Sequence, residues 1–185
     1  MAPGFADPVR DSQACFRAVL NAMAQPGHVH TVALAPAPPQ GLGVAAASVL
    51  LTLADADTPV FLDDAGPAHW LAFHCGARLA SAGEALLAVV PGDADILAFA
   101  SGTDDAPEDG ATVLLQVAAL GTGPAYTLSG PGLPSPAPFQ VDGLPRGFAA
   151  AWAVNAARFP RGVDVILCAG DRLAALPRTL QIVEA

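Results

Sequence analysis

Three stretches of this chain are apolar at nearly every residue: positions 85–90 (ALLAVV), 111–120 (ATVLLQVAAL) and 163–169 (VDVILCA). A strand with one face in water alternates polar and apolar side chains, so runs of this kind belong to a sheet covered on both faces. Segments that could cover it lie between them. Asp7-Pro8 reads as a cap followed by proline at the first helical position, and Phe16, Val19, Leu20 and Met23 recur at helical spacing until Gln25-Pro26-Gly27 stops the helix. Positions 44–54 (VAAASVLLTLA) are apolar on nearly every side, which suits a buried helix. Shorter helices are expected at 69–73 and 95–100, and one at 144–157 whose Phe148 and Trp152, four apart, share a face.

Further strands are expected at 28–34, 60–62, 125–129 and 180–184, with 111–120 as the longest. Gly170-Asp171 is a two-residue turn joining 163–169 to a hairpin partner at 172–176. Stiff proline-rich loops fill 35–41 and the stretch after Gly130-Pro131-Gly132. Helices and strands interspersed in this way predict one α/β domain over 1–185, with a mixed sheet covered by helices. At 185 residues, 53% of them hydrophobic, a filled core is within reach. No apolar run approaches the roughly 18 residues of a membrane span. The first residues lack the basic-then-apolar order of a signal peptide. Cys15, Cys75 and Cys168 are odd in number and far apart, which favours reduced thiols and a cytoplasmic protein over disulfides or zinc.

All eight cationic side chains are arginine. Without lysine the chain can form no Schiff base to pyridoxal phosphate, offer no P-loop lysine and use no lysine base. A formal charge of −9 argues against nucleic acid and anionic membranes as partners. Gly41-Leu42-Gly43-Val44-Ala45-Ala46 fits a dinucleotide pattern only on paper, because no strand precedes it, so a turn opening a helix is the favoured reading. Ser129-Gly130-Pro131-Gly132 is read as a tight turn, since proline has no N–H to give a phosphate.

His28 and His30 on one strand face, and His74 beside Cys75, lack a third metal ligand. Asp104, Asp105, Glu108 and Asp109 lack EF-hand spacing and read as solvated loop charge. No serine sits in a Gly-x-Ser-x-Gly elbow, so no catalytic residue, metal or cofactor is assigned.

Four of the arginines fall late: Arg158, Arg161, Arg172 and Arg178. Guanidinium groups bind carboxylate and phosphate bidentately and favour interfaces, so Arg161 and Arg178 suit an anion or a partner; surface pairing with the abundant Asp and Glu competes. Asp164, between Val163 and Val165, is expected to turn inward or toward a partner, and an inward carboxylate needs one of these arginines as its mate.

Several blocks of the sequence resemble the H subunit of the bacterial carbon–phosphorus lyase system, the PhnH family. They are Asp11-Ser12-Gln13 with Phe16-Arg17, Leu20, Ala22-Met23 and Pro26-Gly27, then positions 48–55 with Asp57-Thr58-Pro59-Val60. Gly102-Thr103, Pro107 with Gly110-Ala111-Thr112, and Leu128 with Gly130-Pro131-Gly132 follow. Phe159-Pro160, Gly162-Val163-Asp164 and Pro177-Arg178-Thr179 complete the set, in family order, from about 7 to 183; 135–157 matches least.

The resemblance implies a fold similar to pyridoxal-phosphate-dependent transferases without that cofactor, in agreement with the absent lysine. It implies a cytoplasmic complex that displaces adenine from ATP with an alkylphosphonate such as methylphosphonate. The product is a ribose 1-phosphonate 5-triphosphate, formed ahead of C–P cleavage. Nucleosidase chemistry is placed in the I subunit and radical iron–sulfur cleavage in the J subunit, leaving no catalytic residue to assign here. The implied partners are G, I and J type subunits, with a homodimer when the chain is isolated. Candidate ligand or partner anchors are Arg158, Arg161, Asp164, Arg178 and Thr179. Gly130, Pro131, Gly132, Pro160 and Gly162 are expected as structural turns. A chain at −9 is a poor solitary host for polyanions, which favours an accessory subunit over an independent small-molecule enzyme; a purely homodimeric scaffold is the other alternative.

Overall fold

The computed structural model describes residues 2–32 and 37–185. Helix α1 (Pro8–Ala24) opens as its sequence dictates: the Asp7 carboxylate accepts from Arg10 N–H at 3.1 Å, Pro8 sits in the first turn, and Asp11 accepts from Asp7 N–H at 3.0 Å. It buries Cys15, Val19 and Ala22 but leaves Phe16 and Leu20 exposed.

Strand β1 is only His30–Thr31, shorter than the expected 28–34. Gly27 at φ +82° turns the chain there and His28 N–H bonds back to Gln25, so His28 stays in the turn and does not share a strand face with His30. Positions 33–34 lie outside the described residues. Next come α2 (Val44–Leu53), β2 (Val60–Leu62), α3 (Ala68–Cys75) and β3 (Leu87–Pro91). The short helix expected at 95–100 is a 3-10 turn, Ile96–Ala98, capped by Asp95. Then follow β4 (Thr112–Gln116), β5 (Ala119–Ser129), β6 (Ala137–Asp142), α4 (Phe148–Ala156), β7 (Asp164–Ala169), β8 (Arg172–Leu176) and β9 (Gln181–Glu184).

The main sheet runs β1-β8-β7-β4-β3-β2, with β2, β3, β4 and β7 parallel and the β7–β8 and β8–β1 pairs antiparallel, so it is mixed as expected. Its unbroken apolar runs send alternate residues into two cores. Leu114, Ile166 and Cys168 face α1, α2 and α3; Val113, Leu115, Val165 and Leu167 face α4 and a second sheet. That second sheet, β6-β5-β9, is antiparallel, so the cover on one face is strands plus a helix and not helices alone.

Two sequence expectations fail here for one reason. The run 111–120 is not a single strand. Val117 N–H still donates to Cys168 O in the main sheet, but the next amide, Ala118, donates to Asp142 O in the second. Both sheets line the same core, so Val117 and Leu120 stay apolar while the chain changes partners. Likewise the expected proline-rich loop after Gly132 contains β6, with Pro138 inside it. Ala185 N–H donates to Ala125 O, so odd positions of β5 bond toward β9. Thr127 therefore directs no backbone bond at its β6 neighbour Pro138, whose missing N–H faces the open edge.

All three thiols are free. Burial raises the pKa of Cys15 and Cys168 and pushes Cys75 up to about 11. Unfolded thiols ionise near the reference value of 9.0, whereas the folded ones hold their protons to higher pH. The unfolded state therefore binds fewer protons above that point. Folding stability should be full below about pH 9 and decline as pH rises toward about 11. Urea unfolding midpoints across that window should fall for the wild type and flatten in a triple Cys→Ala variant. Equal slopes in the two proteins would remove the thiols as the cause.

Candidate interaction surface

The C-terminal end of α4 and the start of β7 meet at a corner held by one buried amide. Asn155, fully buried, accepts from Val163 N–H at 2.8 Å and donates to Val163 O at 2.9 Å, so a side chain supplies both bonds a neighbouring strand would make. It completes a stripe with Phe148 and Trp152 at spacings of four and three, the one signal by which this polar residue on the inner face of the helix could have been found in the sequence. Beyond it the chain tightens, with Arg158 N–H donating to Asn155 O, Phe159 N–H to Ala156 O and Arg161 N–H to Arg158 O. The Phe159–Pro160 peptide is cis. Gly162 follows at φ +129°, where a Cβ would stand 2.9 Å from Asn155 Oδ1, so both conformation and space demand glycine.

Asp164 finds its mate in Arg178. Its carboxylate accepts from Arg178 N–H at 2.7 Å, from Nε at 3.1 Å and from Nη2 at 2.7 Å, while Nη1 donates to Pro107 O at 2.7 Å. The two side chains are 13% and 17% exposed. Each nitrogen of this guanidinium donates a bond inside the protein, and the pair ties the 105–110 loop to the first residue of β7. Arg161 instead lies against the exposed Asp104, Nε to Oδ1 at 3.0 Å. Arg158 is half-buried and has no side-chain partner among the described residues.

Thr179 sits between two turns. Its carbonyl lies 3.2 Å from where a Gly130 Cβ would be, and Gly132, at φ +86°, packs on the end of α1 at Ala24 and Pro26. The structure thus gathers Arg158, Pro160, Arg161, Gly162 and Asp164 at one corner, and the segment through Arg178 and Thr179 links that corner to the Gly130-Pro131-Gly132 turn. At the rim Phe159 stands 65% exposed, and Val154 of α4 is exposed as well. An aromatic and arginines at a projecting turn have the composition of an interface anchor.

The carboxyl ends of the parallel strands, where α/β folds usually seat ligands, are differently furnished. A cleft of about 230 Å³ there is lined by Gly41, Leu62, Asp63, Asp64, Pro91 and Gln116. The Gln116 amide closes its inner wall, donating to Gly41 O at 2.8 Å and accepting from Gly43 N–H at 2.7 Å. Gly43 caps α2, so the glycine pair is the turn that opens a helix. With the Gly43 amide spent and two carboxylates alongside, the cleft repels phosphate. No group of three or more His, Cys, Asp or Glu side chains placed to hold a metal occurs among the described residues. No helix among them is long and apolar enough to cross a membrane.

The family model described as "Bacterial phosphonate metabolism protein (PhnH)" matches residues 3–183. The chain is 38% identical over 189 residues to the alpha-D-ribose 1-methylphosphonate 5-triphosphate synthase subunit PhnH of Rhizobium meliloti (strain 1021), covering 96% of this chain and 93% of that protein. It is 34% identical over 175 residues to HtxG of Stutzerimonas stutzeri, whose name assigns it provisionally as a C-P lyase subunit, covering 92% of this chain and 85% of that protein. The match runs across both sheets and through the corner that holds Asp164 and Arg178, and on that breadth the chain belongs to the PhnH family of bacterial phosphonate metabolism proteins.

Proposed function

We propose that this chain is an accessory, non-catalytic subunit of the bacterial carbon–phosphorus lyase complex. Together with sister subunits it serves the conversion of ATP and an alkylphosphonate to a ribose 1-phosphonate 5-triphosphate with release of adenine. The observation that carries this reading is the near full-length match to proteins named as subunits of that system. Its partners are the G, I and J type subunits, and alone it forms a homodimer. A cytoplasmic location agrees with three free thiols. Similarity to pyridoxal-phosphate-dependent transferases, with the cofactor lost, agrees with a sequence that has no lysine to hold it.

Within this reading Arg158, Phe159 and Arg161 are the partner anchors, and Asp164, Arg178 and Thr179 hold them in place from behind. The test is co-expression of the tagged chain with the other core subunits. Co-elution, and loss of adenine release from ATP and methylphosphonate when this chain is omitted, are expected. A chain that elutes alone at modest salt overturns the proposal. Arg161→Ala and Phe159→Ala should weaken retention of the partners. The Arg161–Asp104 pair is exposed and contributes at most about 1 kcal/mol, so unfolding should barely change. Unchanged retention with a large drop in melting temperature would reverse the assignment of both residues.

A further inference from the structure

We propose that the outer face of α1 is a second docking surface, which takes an apolar helical ridge flanked by carboxylates on a sister subunit. The proposal rests on the accessory-subunit reading and adds a surface that reading does not contain. Val9, Gln13, Phe16 and Leu20 follow one another at spacings of four, three and four, which aligns them in one stripe along the helix. Val9 is 66%, Phe16 53% and Leu20 55% exposed. The helix core face is filled by Cys15, Val19 and Ala22, so the stripe is a separate face and not an overflow of the core. Phe16 and Leu20 line a groove of about 450 Å³ with Ser12, Gln13, Arg17 and Thr52 of α2. Thr52 already donates its hydroxyl to Ser48 O at 2.7 Å, and Ser12 donates its own to Pro8 O, so the polar walls make few demands on an occupant. A groove of this kind matches the way an amphipathic helix is bound.

Charge selects the occupant. Arg10 and Arg17 both border the stripe on one side, a basic flank on a chain whose formal charge is −9. Arg17 is exposed and has no ion partner among the described residues, and Arg10 reaches only Asp7, at 3.6 Å on the surface. A second copy laid antiparallel would set Val9 against Leu20 of that copy, because the stripe is symmetric about its middle. The same arrangement brings Arg10 beside Arg17 of the copy, a repulsive contact between like charges specific to this face. A ridge with an acidic flank avoids that clash and satisfies Arg17.

The test measures binding of this chain to the assembled remaining core subunits, for wild type, Leu20→Glu, Arg17→Ala and Arg17→Glu. Leu20→Glu should weaken binding roughly tenfold or more. Arg17→Glu should weaken it more than Arg17→Ala, and wild-type binding should weaken as salt rises. Circular dichroism and unfolding midpoints should be unchanged, because both residues are exposed. Wild-type affinity in all three variants overturns the surface and leaves the subunit reading intact. Failure of the wild-type chain to bind at all overturns the subunit reading itself. A wild-type dimer that strengthens with salt and is lost in Leu20→Glu, with partner binding unchanged, overturns the sister-subunit occupant in favour of a second copy.

Discussion

Arg178→Ala is expected to lower the unfolding free energy by about 3–5 kcal/mol. The guanidinium makes two bonds to the Asp164 carboxylate and one to Pro107 O, with little of either side chain exposed. Truncation leaves a largely desolvated carboxylate with one backbone donor and strips Pro107 O of its partner. Breaking such a pair costs more than the pair is worth, because the surviving charge stays behind. The double change Asp164→Leu with Arg178→Met should therefore be milder than Arg178→Ala alone. Guanidinium unfolding of the wild type and the two variants checks this, and a midpoint unmoved by Arg178→Ala would discard the clasp. For a chain of this length each kcal/mol corresponds to about 2–4 °C in melting temperature, so the loss is also visible by calorimetry.

Trp152→Ala should cost a similar amount, about 3–5 kcal/mol. The side chain is fully buried where α4 meets the second sheet, its ring centroid 5.9 Å from that of Phe148 and its Nε1 donating to Leu180 O at 2.9 Å. Alanine empties the volume and orphans the carbonyl, whereas phenylalanine keeps much of the volume and loses only the bond, which costs about 1–3 kcal/mol. Urea unfolding should rank wild type above Trp152→Phe above Trp152→Ala. If phenylalanine proves as damaging as alanine, the hydrogen bond and not the packing governs the site. Both predictions bear on function, since a variant that fails to assemble because it unfolds must be told apart from Phe159→Ala, which should fold normally.

Much of this could be read along the chain. Asp7 and Pro8 announce α1, the glycine turn at 41–43 announces α2, and Gly170-Asp171 announces the β7–β8 hairpin; each is realised at its expected place. Of the candidate anchors, Arg158, Arg161 and Asp164 share one corner because they are neighbours in sequence. The division of labour among them was hidden. Arg161 and Arg178 are equally arginine, yet one stands on the surface beside Asp104 and the other is locked against Asp164 and Pro107, the latter 71 positions away. Phe16 and Leu20 look like core residues by spacing, and only the position of α2 and the sheet shows that Val19 takes the core and they do not.

By itself the sequence determined most of the elements, the two-sided burial of the main sheet, the exclusion of lysine chemistry and the family blocks. Caps, periodicity and turn residues act within a few positions of one another, so they leave a local record. Only the tertiary structure decided that 111–120 divides between two sheets, that Pro138 sits on an open edge, and that Asn155 stands in for a strand. Those outcomes depend on which backbone groups meet across the core, and a residue bears the same side chain whichever partner its amide finds.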